Sequence, residues 1–370
     1  MAEQTAVPAA ATTTRPAPAT ADGYRLGQRP ALDGLRAIAV AMVLYNHTAL
    51  PYSGTAGTVG VTVFFVLSGF LITRLLLEEW DTRDQISLPR FYIRRALRLM
   101  PAMVLYVAVT AAVAVRYDER LEQVLWAGLY VTNIVRTLGE YVTLTPHTWS
   151  LAMEEQFYLV WPALLIGLLT LLRLSRRGLA LALVAMIALS LAYRYWLIET
   201  GATLQRLHND PLVVAFSLLV GCLLAVVVAW RGWRFLGGLA FAASLTVLVA
   251  LCGQDKGAWV YGLMVPVTTL ASAVAILVVV RDGRGPRWVH AVLTWAPLRG
   301  LGKISYGLYL WHYTVYYVVK QEITGPDQVA TRVVVEVLLS VAVATLSYHL
   351  LESKFLKLKD SARWSTRVRS

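Results

Sequence analysis

The sequence has few charged residues, only two cysteines and no polar insert long enough to form a soluble domain. Charged residues make up 15% of the 370 positions, against about 25% in an average soluble domain. Two cysteines inside apolar runs exclude a secreted disulfide scaffold. The chain has 34 Lys and Arg against 22 Asp and Glu residues, a net charge of +12. The basic residues lie between apolar segments and form no basic face, which argues against nucleic-acid binding. With 57% hydrophobic residues, the chain is predicted to be an integral membrane protein of many spans.

Apolar segments follow one another with short gaps, and most are near the length of about 20 residues that a helix needs to cross the hydrocarbon. Residues 1–30, rich in Ala, Thr and Pro, are predicted to be a disordered cytoplasmic tail, and residues 354–370 a basic cytoplasmic tail. A single transmembrane domain is predicted for residues 31–353. The candidate segments are 31–50, 58–79, 99–115, 121–139, 147–172, 179–198, 211–229, 235–252, 258–280, 303–320 and 329–351.

The distribution of basic residues reduces these eleven segments to about ten membrane-spanning helices. Cytoplasmic loops carry the excess of Lys and Arg. If segment 121–139 crossed the membrane, two later basic clusters would face outward. If it enters and leaves on the outer side, every basic cluster falls inside, so we predict a re-entrant or interfacial segment there and place both termini in the cytoplasm. The two clusters are Arg173, Arg176 and Arg177, and Arg281, Arg284, Arg287, Arg299 and Lys303.

The first predicted span carries an arginine and a histidine eleven residues apart, Arg36 and His47. Three helical turns take about 10.8 residues, so both side chains share a face and lie about 16 Å apart along the axis. The simplest interpretation is a snorkelling arginine and a hydrogen-bonded histidine. The functional interpretation is a base at membrane depth with a cation nearer the inner surface, because histidine suits proton transfer near neutral pH.

Three further groups of polar residues are candidates for the site. Arg95 and Arg98 share a helix face and suit either anionic lipid head groups or a bidentate phosphate clamp. Glu154 and Glu155, two adjacent acids near the outer interface, need partners if they are buried. The third group, spaced at i, i+4 and i+7 on one helix, is Ser305, Tyr309 and His312.

Motifs of other chemistries are absent from the sequence. There is no nucleophile elbow, phosphate-binding loop, dinucleotide fingerprint or HExxH motif, and Cys and His do not occur at metal-ligand spacing. We therefore predict no metal site and no permanently bound cofactor.

Five motifs in this order resemble the acyltransferase-3 family of integral-membrane O-acyltransferases, over roughly residues 30–355. The most specific is Arg36 and His47 separated by ten residues. The others are Gly60-Val with Phe64-Phe-Val-Leu-Ser68-Gly-Phe, Arg95-x-x-Arg98, Trp149-Ser-Leu with Glu155-Gln-Phe-Tyr, and Ser305-Tyr-x-x-Tyr309-Leu-x-His312. This chain departs from the family at the end of the last span, where it has Glu352-Ser-Lys and the family tends to have Glu-Arg-Pro or a similar sequence.

The resemblance implies transfer of an acyl group, usually acetyl, from cytoplasmic acyl-CoA as co-substrate to a hydroxyl group. Acceptors in the family include cell-surface glycans, lipids and secondary metabolites, and the expected location is a bacterial-type plasma membrane. His47 would be the base, by direct transfer or through an acyl-histidine, with Arg36 and Glu155 assisting. Arg95, Arg98 and Arg36 would bind CoA phosphates. Supporting residues would be Ser68, Trp149, Glu154, Ser305, Tyr309 and His312.

Two alternatives remain at this point. A transporter or flippase for a glycan or a lipid-linked substrate would also place charges within the membrane, although no inverted repeat is visible in the sequence. A different family of membrane acyltransferases would perform a similar reaction with another histidine context.

Overall fold

The computed structural model describes residues 29–48, 50–230, 237–255, 257, 259–280 and 286–360. Within these ranges the chain is helical and forms no β-strand, in agreement with the predicted all-α class. Residues 1–28 and 361–370 of the predicted tails, and Arg281 and Arg284, lie outside the described residues. The helices are α1 Pro30–His47, α2 Ala56–Arg83, α3 Leu88–Arg116, α4 Leu121–Gly128, α5 Thr132–Thr137, α6 Thr148–Thr170, α7 Arg176–Glu199, α8 Leu204–Asn209, α9 Pro211–Trp230, α10 Gly238–Ala250, α11 Val265–Val280, α12 Arg287–Leu293, α13 Ala296–Lys303, α14 Ser305–Glu322, α15 Val329–Ser347 and α16 Ser353–Asp360.

Two π-helical turns and one 3-10 turn adjoin these α-helices. A π-helical turn, Val260–Met264, leads into α11, and a second, Tyr348–Glu352, joins α15 to α16. A 3-10 turn, Pro326–Gln328, precedes α15. The predicted C-terminal tail therefore begins within α16, which continues the last apolar helix.

Among the described residues, six helical stretches are long and apolar enough to cross a membrane, compared with about ten predicted. The six are Ala56–Arg83, Leu88–Arg116, Arg176–Glu199, Leu204–Val228, Val260–Val280 and Val329–Lys357. The chain is thus a multi-pass membrane protein, and the count of ten remains a prediction.

The other four predicted spans coincide with α1, α6, α10 and α14. α10 has 13 residues, about 20 Å at 1.5 Å per residue, whereas the hydrocarbon core is about 30 Å thick. The other three helices contain charged or polar side chains that lower their hydropathy, such as Arg36 in α1, Glu154 in α6 and Lys320 in α14. These three polar helices all contribute to the site described below.

Segment 121–139 folds back on itself. It forms α4 and α5, of 8 and 6 residues, which are too short to span a bilayer. Arg120, at its start, forms ion pairs with both Glu122 at 2.6 Å and Glu140 at 3.3 Å, so the two ends of the segment lie together. The two ends of the segment thus lie on one side of it, as a re-entrant or interfacial segment requires. The outer location of that side remains a prediction.

α2 lies at the centre of the bundle and α7 at its periphery. In the most apolar part of α2, 78% of the residues are buried, against 17% in α7. α2 packs against α9 through two glycines, Gly69 and Gly221. A Cβ at Gly69 would collide with the carbonyl oxygen of Leu218, and one at Gly221 with that of Val66. The small residues of the second span therefore serve close helix packing.

Candidate active site

The helices α1, α2, α3, α6, α13 and α14 enclose a cavity of about 550 Å³. Along α2 its lining runs from Leu75 to Val61, a rise of about 21 Å at 1.5 Å per residue. One end, called the basic end here, is lined by Arg29, Arg36, Arg95, Arg98, Arg299 and Lys303. The opposite end, called the deep end, is lined by Val61, Ser150 and Tyr309. The charge-based topology places the basic end on the cytoplasmic side.

Arg95 is held by a bidentate ion pair with Glu155. Its Nε lies 3.1 Å from both carboxylate oxygens of Glu155, and its Nη2 lies 2.6 Å from Oε1. The guanidinium carbon also lies 3.2 Å from the ring centroid of Tyr158, a cation–π contact. Glu155 itself does not line the cavity. The pair uses the Nε–H and one Nη2–H of the five N–H donors of Arg95, and together with the Tyr158 contact it fixes the orientation of the guanidinium.

Glu154, rather than Glu155, faces the cavity. Its Oε1 accepts a hydrogen bond of 2.9 Å from the Ser68 hydroxyl, and its Oε2 lies 3.4 Å from the Tyr158 hydroxyl. These contacts join α6 to α2 at the cavity wall. The predicted supporting residues Ser68 and Glu154 thus lie together, and Tyr158 is an additional wall residue that the sequence did not single out.

The basic end contains a second engaged arginine and three cations without an acidic partner. Arg36 donates to Asp33 at 3.0 Å, one helical turn earlier. Arg98, Arg299 and Lys303 form no hydrogen bond or ion pair with any residue that the structure describes. The sequence assigned Arg299 and Lys303 only to membrane topology, because nothing in their spacing connects α13 to the cavity.

Two glycines fix α13 and the preceding α12 against α1. A Cβ at Gly34 of α1 would overlap the Leu293 carbonyl oxygen, and one at Gly302 of α13 would overlap that of Asp33. This close approach holds the cations of α13 beside the N-terminal part of α1.

The deep end is closed by a hydrogen-bonded pair of hydroxyl groups. The side chains of Ser150 on α6 and Tyr309 on α14 are hydrogen-bonded to each other, and the Tyr309 hydroxyl also contacts the His147 carbonyl oxygen at 3.0 Å. Both side chains are buried. Ser305, one turn before Tyr309 on the same helix, lines the cavity nearer the basic end.

Three histidines pack together beyond the deep end. The ring centroid of His312 lies 5.1 Å from those of both His47 and His147. The His147 ring stacks on Tyr313 at 5.2 Å. His47 and His312 therefore lie together, but His47 does not line the cavity. Tyr309 and His312 separate it from the deep end. His147 was not singled out, since it lies far from both partners in the sequence.

The hydrogen bonds of His47 define its tautomer. Its Nδ1 lies 2.9 Å from the Val43 carbonyl oxygen, which can only accept, so Nδ1 carries the proton. The Nε2 atom of His312 lies 3.3 Å from the same Nδ1, while Nδ1 of His312 donates to the Tyr309 carbonyl at 2.6 Å. A neutral His47 ring then has its lone pair on Nε2, the form that a general base requires.

Trp149 supports the wall without lining the main cavity. It is buried, and its ring packs against Phe65 at 5.8 Å and His208 at 4.2 Å. Phe65 in turn lines the cavity.

The predicted site residues thus form two neighbouring groups. Those that line the cavity are Arg36, Ser68, Arg95, Arg98, Glu154, Ser305 and Tyr309, and those behind its wall are His47, Trp149, Glu155 and His312. Within the described ranges, no group of three or more His, Cys, Asp or Glu side chains is arranged to hold a metal ion.

Comparisons with known proteins identify the family of the chain. The acyltransferase domain of the acyltransferase-3 family matches residues 29–351. A Bacillus subtilis (strain 168) protein named "Putative peptidoglycan O-acetyltransferase" is 30% identical over 366 residues, 92% of this chain and 56% of the relative. The peptidoglycan O-acetyltransferase of Listeria monocytogenes serovar 1/2a is 29% identical over 358 residues, 89% of this chain and 56% of the relative.

The chain spans little more than half the length of these curated relatives. No solved structure matches it significantly. The family match covers nearly all of the described helices and all five motifs found in the sequence. The chain therefore belongs to the acyltransferase-3 family.

Proposed function

We propose that this protein is a membrane O-acetyltransferase that moves an acetyl group from cytoplasmic acetyl-CoA to a hydroxyl group of a cell-wall glycan. Membership of an acyltransferase family supports the reaction class. The names of the relatives support acetyl as the group transferred and a carbohydrate as the acceptor. The observation that carries the proposal is a cavity with a cationic end and a deep end adjoining a histidine cluster. This arrangement suits a polyanionic thioester donor.

In this proposal the basic end binds the nucleotide part of the donor, and the acyl thioester points toward the deep end. The cavity offers about 21 Å of length along α2 for an extended donor. Apolar side chains such as Phe64 and Leu71 line its middle and would contact the uncharged arm. The thioester must then pass Ser150 and Tyr309 to reach His47, so their hydrogen-bonded side chains have to separate during the reaction.

His47 acts as the general base in this proposal. Its Nε2 takes the proton from the acceptor hydroxyl, and the acceptor oxygen attacks the thioester carbonyl carbon. The carbon–sulfur bond breaks, the ester forms, and the leaving thiolate takes up the proton from His47. The acceptor approaches from the outer side, which makes the reaction a transmembrane acetylation.

The other predicted catalytic residues act at a distance from the reacting atoms. Arg36 lies at the basic end beside Asp33, and Glu155 holds Arg95. We therefore assign Arg36 to donor binding, and Glu155 to positioning through Arg95 rather than to the chemical step. The proposed location remains a bacterial-type plasma membrane with both termini cytoplasmic.

The test is transfer of labelled acetyl from acetyl-CoA to soluble peptidoglycan fragments by the protein in proteoliposomes. His47→Ala is expected to lower the rate by about 10²–10⁴, the usual contribution of a general base. His349→Ala, at an exposed position of the last helical stretch, is the control and should keep the native rate. A native rate in His47→Ala would contradict the assigned base. Uptake of the glycan without acetyl transfer would favour a transporter.

A further inference from the structure

Three cations at the basic end form no ion pair or hydrogen bond with an acidic residue in the part of the chain that the structure describes, although they lie in a protein cavity. Arg98 of α3 and Lys303 of α13 are exposed to the cavity, and Arg299 of α13 is half-buried. The Nε atom of Arg299 is buried and has no hydrogen-bond partner. Buried donors without a partner cost free energy, which a ligand that accepts hydrogen bonds would recover. These cations form an arrangement that is incomplete without an anion.

The two remaining cations with defined partners are already engaged. Arg95 is bound to Glu155 and stacked on Tyr158, and Arg36 is paired with Asp33. Glu155 occupies the Nε–Nη2 edge of the Arg95 guanidinium and balances its charge, so a phosphate could use only the donors that this edge leaves. The two arginines of the Arg95-x-x-Arg98 motif thus differ, because Arg95 is paired with Glu155 and Arg98 forms no ion pair with a described residue.

The location of Arg299 and Lys303 favours a role in ligand binding over a role as a membrane anchor. A positive-inside anchor would point toward lipid head groups. Both side chains instead line the cavity, on a helix that Gly34 and Gly302 hold tightly against α1. Like charges held in one cavity repel each other and create a positive potential that attracts a polyanion.

We propose that Arg98, Arg299 and Lys303 bind the phosphate groups of the acyl-CoA donor, and that Arg95 is a positioning residue that does not contact them. This inference rests on the proposed function for the identity of the donor. Arg forks bind phosphate oxygens bidentately, and Lys adds a compact positive charge. The donor's nucleotide end is then held by two different elements, α3 and α13, while Arg95 and Glu155 hold the wall formed by α3 and α6.

Two donors distinguish phosphate binding from structural support. Acetyl-CoA carries the nucleotide phosphates, whereas S-acetylpantetheine carries the same thioester without any phosphate. We expect Arg299→Gln and Lys303→Gln each to raise the KM for acetyl-CoA about tenfold, the usual effect of losing one charged hydrogen bond. Their kcat, and their kcat/KM with S-acetylpantetheine, should stay at the native level. Arg95→Gln should lower kcat equally with both donors.

Matched controls come from cations that do not line the cavity. Arg177→Gln and Lys354→Gln remove charges at exposed positions and should leave both donors unaffected. Lys303→Arg keeps the charge and should retain a KM close to the native one, which separates loss of charge from misfolding. Raising the salt concentration should weaken acetyl-CoA binding in the native protein more than in the variants.

Equilibrium binding of CoA to the purified protein separates failure of this inference from failure of the proposed function. Native protein that transfers acetyl from acetyl-CoA, together with an unchanged KM in the Arg299→Gln, Lys303→Gln double variant, would overturn the inference alone. Native protein that transfers no acetyl but binds CoA, with binding lost in the double variant, would support the phosphate site and overturn the enzymatic proposal. Native protein that does not bind CoA would overturn both.

Discussion

His47 depends on a second histidine for its orientation. Its Nδ1 proton is shared between the Val43 carbonyl, one turn earlier, and His312 Nε2 on α14. The His312 ring is completely buried and is itself oriented by the Tyr309 carbonyl. A base whose ring is fixed in this way loses less entropy when it meets the acceptor. We therefore assign His312 as a positioning residue.

Replacement of His312 tests this role through rescue by a conservative variant. His312→Ala removes one of the two acceptors of the His47 Nδ1 proton, together with the ring that orients it, and should lower kcat by about tenfold, with a smaller change in KM. His312→Gln can present an amide oxygen near the former Nε2 and should recover a substantial part of kcat. Steady-state kinetics with acetyl-CoA are the measurement. Equal losses in both variants would assign His312 to packing alone.

At the residue scale, the sequence predicted seven of the side chains that line the cavity but not their partners. The sequence could not show whether Glu154 or Glu155 faces the cavity. Which of these adjacent acids points inward depends on the rotation of α6, and spacing alone does not determine that rotation. The ion pair between Arg95 and Glu155 joins residues sixty positions apart. Arg299 and Lys303 were missed for a similar reason, because only the packing of α13 on α1 brings them to the cavity.

At the scale of helices, the crossing of α2 and α9 depends on two glycines that face the partner's backbone. Gly69 lies against Leu218 and Gly221 against Val66, so neither position has room for a side chain. Without a hydrophobic driving force between helices in lipid, such close approach contributes much of the attraction. α2 also carries Ser68 beside Gly69, so this crossing sets the position of one cavity wall.

Gly69→Ala is therefore expected to destabilise the protein by about 1–3 kcal/mol, the usual cost of overpacking. Gly167→Ala in α6 is the matched control, since its Cβ would meet only a side-chain carbon of Leu171 at 4.0 Å. That change should be neutral or slightly stabilising, because alanine is the better helix former. Thermal unfolding in one detergent measures both. Equal stability of the two variants would show that the α2–α9 crossing tolerates separation.

Three of the helices that line the cavity are identified poorly by hydropathy. α1, α6 and α14 carry part of its acids, cations and hydroxyl groups, and they are not among the six clear candidate spans, whereas α2 and α3, which also line the cavity, are. Sequence reasoning located all three by combining apolar stretches with charge balance, but it could not establish how they pack. Function and hydropathy conflict in these elements because a polar cavity inside a bilayer requires polar residues on its walls.

At the scale of the whole molecule, the fold-back of residues 121–139 determines the side of every later loop. Arg120 joins Glu122 and Glu140, so the two ends of this segment lie on one side. The pattern of basic residues predicts that this side is the exterior and that the basic end of the cavity faces the cytoplasm.

Single-cysteine labelling tests this topology in a background where Cys222 and Cys252 are replaced by Ala. Leu121→Cys and Tyr141→Cys, at positions 49% and 76% exposed, should both react with an impermeant maleimide in intact cells. Glu199→Cys should react as well, whereas Gln85→Cys should react only after permeabilisation. Reaction of Leu121→Cys and Tyr141→Cys from opposite sides would contradict the fold-back.

The hydrogen-bonded Ser150 and Tyr309 side chains have a consequence for the cell's ion gradients. A cavity open toward one compartment and a histidine cluster reached from the other would together form a proton leak if nothing stood between them. The paired hydroxyl groups and the buried His312 ring exclude bulk water from this boundary, although hydroxyl and imidazole groups can relay protons along hydrogen bonds. An enzyme built in this way would have to separate access to its two faces in time.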